Sequence, residues 1–155
     1  NHKLLGQWLS GGASNTGGSI LLKFFTLKDI KELSKQINTK KSTGLNLLPM
    51  SKKGERFPID DPNLQPRLEP RPISDVLYLQ AILEGLAKIE SRGWQKLNEL
   101  GADFPKQIIT IGGGAKNIAW KKIREKEIGI PIKISNKPPA AGVAAIALKA
   151  ISKKQ

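Results

Sequence analysis

A chain of 155 residues suits one domain, which buries roughly two thirds of the surface exposed by its unfolded form. It has no cysteine, which excludes disulfides and thiolate metal sites and fits a reducing cytoplasm, and it has no run of about 18 apolar residues that could span a membrane. The 26 Lys and Arg outnumber the 13 Asp and Glu, leaving a formal net charge of +13 that attracts polyanions.

The start, Asn1-His2-Lys3-Leu4-Leu5, lacks an initiator Met and a signal-peptide pattern, so it reads as a cut inside a longer protein. Leu4 to Ser10 is expected to form a short strand, followed by a glycine-rich turn, GGASNTGG, at Gly11 to Gly18. Ser19 to Phe25 reads as helical. Leu27 to Ile37 is a predicted helix with Thr26 as its N-cap and Asp29 in its first turn, where a carboxylate suits the helix dipole. Leu45 to Ile73 holds six of the ten prolines and is expected to be an irregular excursion within the domain, anchored by Leu47, Leu48, Phe57 and Ile59.

Ser74 caps the longest predicted helix, whose apolar stripe runs through Leu79, Ile82, Leu83, Leu86, Leu97 and Leu100 to a stop at Gly101. Ile108 to Ile111 is a continuous apolar run, expected to be a strand covered on both faces. A helix from Asn117 to Ile128 closed by Gly129, a strand at Ile130 to Ile134 and a small-residue helix opened by Pro138 or Pro139 complete a parallel βαβ pattern.

The chemistry concentrates at Gly112-Gly113-Gly114, between that strand and helix. Glycines there let backbone approach a ligand, and a following helix amino terminus favours an anion. Asn117 can cap the helix or donate to a sugar or base, and Trp120 offers a flat face to a purine. The competing reading is a tight turn with Trp120 in the core. The loop is neither a GxGxxG fingerprint nor a P-loop. Basic residues come at most in pairs such as Lys40-Lys41, Lys52-Lys53 and Lys153-Lys154. Aromatics are only 5% and are not interleaved with them, which argues against a nucleic-acid partner.

Four segments resemble, in order, the carboxy-terminal domain of the FGGY carbohydrate kinases: GGASNTGGSIL, GERFPIDDP, LQAILEGLA and GGGAKNIAW. The likeness is greatest to xylulose-kinase-like sugar kinases. It implies an α/β fold, a partial actin-like (ribonuclease-H-like) ATPase domain with a mixed, largely parallel sheet flanked by helices, truncated on its amino-terminal side. It also implies a cytoplasmic enzyme that transfers phosphate from ATP, with Mg²⁺, to a pentose, pentulose or related polyol. Carried over, Gly113 and Gly114 would lie against adenine and ribose, Asn117 would hydrogen-bond the nucleotide, and Trp120 would wall the base. Gly18 would lie near the phosphates. The chain departs from the family at Leu22, where a polar residue is common, and at Lys137-Pro138-Pro139, where an acidic one is.

The resemblance places the catalytic aspartate, most sugar contacts and the metal site in a missing amino-terminal part, so no catalytic residue and no metal ligand is expected here. Glu55, Asp60 and Asp61 could substitute as base or metal ligands. The structural alternative pairs Glu55 with Arg56 and gives Asp60 a turn before Pro62. His2 is the only histidine, which leaves no histidine-based triad or zinc site. The runner-up function is a basic anion- or nucleic-acid-binding module without catalysis.

Overall fold

The structure, a computed structural model, describes residues 2–4 and 6–152, so the basic pair Lys153-Lys154 lies outside the described residues. The segment expected to be one strand forms an antiparallel hairpin, β1 (His2–Leu4) and β2 (Gln7–Leu9), with Lys3 opposite Trp8. Gly6 in the connection has φ +86°, a left-handed conformation that ends the extended run. The next turn of helix, Gly18–Lys23, is a 3-10 helix that buries Ile20 and Leu21.

Helix α1 (Leu27–Ser34) begins with a full capping box: Thr26 Oγ1 accepts from Asp29 N–H, and the Asp29 carboxylate accepts from Thr26 N–H. It stops at Ser34, short of the expected Ile37. Helix α2 (Asp75–Glu99) is capped by Ser74 and ends in a Schellman motif. In that motif Gly101 N–H donates to the Asn98 carbonyl and Ala102 N–H to that of Leu97. From Tyr78 to Ala87 every residue of α2 is buried, so the helix is enclosed there, whereas the stripe's last member, Leu100, is exposed.

The proline-rich excursion encloses one side of α2. A Cβ on Gly85 would meet Pro49 Cδ at 2.7 Å and the Leu47 carbonyl oxygen at 2.8 Å, so contact at this distance requires glycine. Two polar side chains on the enclosed stretch, Gln80 and Glu84, hold the loop after α1. Gln80 Nε2 donates to the Lys41 carbonyl at 2.6 Å, and Glu84 accepts from Thr43 Oγ1 at 2.7 Å.

β3 (Ile108–Thr110) and β4 (Ile132–Ile134) pair in parallel, with Ile108 opposite Ile132, and α3 (Ile118–Ile128) connects them. This is the βαβ unit the sequence predicts. Its strands form a sheet of their own, separate from the hairpin, in place of one larger mixed sheet. Ile108 and Ile132 pack with Ile128 against Trp94. The expected double cover is absent: Ile109 is 65% exposed and Ile111 50%. Alternation along the strand turns Ile109 away from α3, and the far face stays open among the described residues. α4 (Pro139–Ser152) follows. The result is a mixed α/β arrangement with a small parallel sheet, compatible with part of an actin-like domain.

Candidate functional site

A groove of about 760 Å³ runs between the glycine-rich loop at 10–19, the middle of α2 and the end of β3. It brings together all five residues singled out from the sequence: Gly18, Gly113, Gly114, Asn117 and Trp120. The three glycines differ in what they are for. Gly112 has φ +87°, a region that side chains disfavour. At Gly114 a Cβ would collide with the six-membered ring of Trp120, so the indole itself requires glycine there. Gly113 has neither constraint: its Cβ would meet nothing within 4 Å, and it faces the groove.

Residues Gly113–Lys116 form a short 3-10 helix, which the sequence reading missed, so the bend does not lead directly into α3. Asn117 caps α3, its Oδ1 accepting from Trp120 N–H at 2.9 Å, and its Nδ2 donates to Ser34 Oγ at 2.8 Å. This uses one of the amide's two N–H groups and leaves the other. Trp120 is half-buried against the main core. Its ring lies 3.4 Å from where a Cβ of Gly18 would stand, so the same indole touches both glycine loops.

The 10–19 loop owes its shape to Glu55. This buried carboxylate accepts from Ser14 Oγ at 2.7 Å, Thr16 Oγ1 at 2.7 Å, Asn15 N–H at 2.6 Å and Arg56 N–H at 2.8 Å. Burial alone would raise its pKa, but the hydrogen bonds from Ser14, Asn15, Thr16 and Arg56 outweigh it and hold the carboxyl below the ordinary value of 4.5. The expected Glu55–Arg56 pair is therefore corrected: Arg56 gives Glu55 its backbone N–H, while its guanidinium Nε donates to Asn15 Oδ1. Asp61 N–H donates to the Ile59 carbonyl across Asp60, a turn before Pro62, and Asp61 in its own right holds the next turn by accepting from Asn63 N–H at 2.7 Å.

Two groove residues escaped the sequence reading. Arg124 on α3 forms a bidentate pair with Glu90 on α2, through Nε at 2.6 Å and Nη2 at 2.7 Å, and its Nη1 donates to Thr110 Oγ1 at 3.0 Å. The guanidinium carbon stands 5.8 Å from the centroid of Trp120, within cation–π range. Glu90 and Arg124 are 34 residues apart, so no local spacing marks them as partners.

The curated relatives fit this picture in part. A stretch of 57 residues is 32% identical to the L-fuculokinase of Escherichia coli K12, and equally to those of Salmonella typhi and Escherichia coli O157:H7. The stretch is 37% of this chain and 12% of each relative, so the chain matches only a small part of their length. No protein-family profile matches the chain. The likeness supports a relationship to sugar kinases. No helix among the described residues is long and apolar enough to cross a membrane.

Proposed function

We propose that this chain provides the adenosine-binding wall of an ATP-dependent sugar kinase, with phosphoryl transfer to a hydroxyl of a pentose, pentulose or related polyol. Gly113 carries the proposal. A glycine that neither torsion nor packing demands, at the edge of a groove, leaves room for a ligand to approach the backbone. Gly11 and Gly17, which also border the groove, likewise have nothing within 4 Å of where a Cβ would lie.

In this reading the nucleotide lies along Gly113 and the glycine loop, with Trp120 and Gly114 as the floor and Glu55 fixing the loop. The acceptor sugar and the base that takes its proton belong to a part of the kinase beyond these 155 residues, acting in cis. ATP in such kinases carries Mg²⁺, which neutralises charge on the phosphates. Among the described residues no three His, Cys, Asp or Glu side chains gather as a ligand set, and no step is assigned to the metal. The chain alone should bind adenine nucleotides without consuming ATP on addition of a sugar.

Calorimetric titration of the chain with ADP, AMP, GTP and a polynucleotide tests the proposal. Selective binding of adenine nucleotides that persists at raised salt supports it. Binding only to the polynucleotide, falling steeply with salt through counterion release, would establish the basic anion-binding module instead.

A further inference from the structure

The groove carries an ion pair that the resemblance does not assign. Glu90 and Arg124 border it beside Trp120, and their side chains retain 27% and 11% of their exposure. Holding a carboxylate and a guanidinium largely out of water is costly unless their hydrogen bonds are satisfied. The bidentate contact and Thr110 satisfy only part of their capacity. Three of the five guanidinium N–H groups are used, by the two Glu90 oxygens and by Thr110, which leaves one on each terminal nitrogen. Each Glu90 oxygen accepts one of these bonds and keeps a further lone pair.

We propose that the Glu90–Arg124 pair reads the polar edge of the base, and so makes the site selective for a ring with an exocyclic amine donor next to a ring-nitrogen acceptor. Adenine has that edge: its exocyclic amine donates to Glu90 while the neighbouring ring nitrogen accepts from Arg124. Trp120 sits beneath the guanidinium and lies against Gly114, so the plane of the base and its edge are set by one contiguous group. The inference rests on the adenosine reading above and adds the residues that decide which base is accepted. A site built to hydrogen-bond a substrate group rejects analogues that lack it, because its own polar groups are left unpaired.

The test compares adenosine with purine riboside, which lacks the amine, and inosine, which has a carbonyl there. Wild-type chain should bind adenosine about tenfold tighter than purine riboside, the effect of one hydrogen bond to a charged group. Glu90→Leu/Arg124→Met replaces the pair with apolar side chains, a change that is often neutral or stabilising. It should keep its melting temperature and reduce the ratio to about twofold or less. Arg124→Lys keeps the charge without the fork and should also lose the discrimination. If either variant folds and retains the wild-type ratio, or if the wild-type chain binds all three alike, the pair does not read the base. If the wild-type chain binds no nucleoside or adenine nucleotide, the adenosine reading falls and this inference with it.

Discussion

The indole of Trp120 occupies the space in which a side chain at Gly114 would have to begin. This contact, with the φ of Gly112, separates glycines that the fold requires from Gly113, which it does not, and the separation can be measured. Gly114→Ala must displace the indole or the backbone and should destabilise by about 1–3 kcal/mol. Gly112→Ala is strained at φ +87° and should cost roughly 1 kcal/mol. Gly113→Ala should be neutral or slightly stabilising, since it restricts the unfolded chain and meets no atom. Urea denaturation of the three variants reads this order. A Gly113→Ala variant as unstable as Gly114→Ala would return all three glycines to the turn.

Glu55 makes stability depend on pH. Its carboxyl is held below 4.5 in the native state, because hydrogen bonds to the ionised form outweigh burial. The unfolded chain therefore binds the proton more readily. The contribution is fully present above about pH 4.5 and is lost as pH falls through the lowered native value. Glu55→Gln should reduce stability at pH 7 by about 1–3 kcal/mol, by weakening charge-assisted bonds to the 14–16 loop. The difference from wild type should shrink as pH falls toward 3. Denaturation curves at pH 7, 5 and 3 check the sign, and a difference that grows on acidification would contradict it.

Asn117 joins α3 to α1, and two substitutions separate its roles. Asn117→Asp keeps an oxygen to accept from Trp120 N–H and should retain the cap, while losing the donor to Ser34 Oγ. Asn117→Ala loses both and should cost about 1–2 kcal/mol. Thermal unfolding should therefore rank wild type, then Asp, then Ala. Equal loss in Asp and Ala would mean that the Ser34 bond, not the cap, carries the effect.

What could be read directly from the sequence was local. As helix caps and stops, Thr26, Ser74, Asn117, Gly101 and Gly129 bond within a few residues of themselves, and each stands at the end it was expected to mark. The parallel pairing of β3 and β4 followed from the alternation of strand and helix. What failed depended on distant chain. The enclosure of α2 on both sides needs Leu47 and Pro49 at Gly85, and a single helix's periodicity cannot announce them. Ile108 to Ile111 is apolar throughout, but an apolar run does not say which face is covered, and Ile109 is on the open one. Glu55 reaches Ser14 across 41 positions and Arg124 reaches Glu90 across 34, so both contacts had no spacing to betray them. The five proposed nucleotide contacts do border one groove, but one of the glycines among them, Gly114, is already explained by Trp120.

The ion pair beneath the groove also predicts a spectroscopic effect. Arg124 stands over Trp120, whose ring also lies against Gly18 and Gly114, so Arg124→Met should alter the near-ultraviolet circular dichroism of the folded chain. Its far-ultraviolet signal should be unchanged. A spectrum identical to wild type in both regions would show that the guanidinium does not hold the ring.

The central claim is that a ligand, and not the fold, accounts for glycine at position 113. The most direct measurement is the ADP affinity of Gly113→Val beside wild type, with melting temperature recorded for both. Branched carbon at 113 would stand where the nucleotide must lie, so the account predicts a folded variant whose affinity falls at least about tenfold, some 1.4 kcal/mol. Trp120→Ala should fall in the same direction by about 1–3 kcal/mol, the range for lost base–aromatic stacking. A folded Gly113→Val that binds ADP as tightly as wild type would contradict the account and leave Gly112 to Gly114 as a turn.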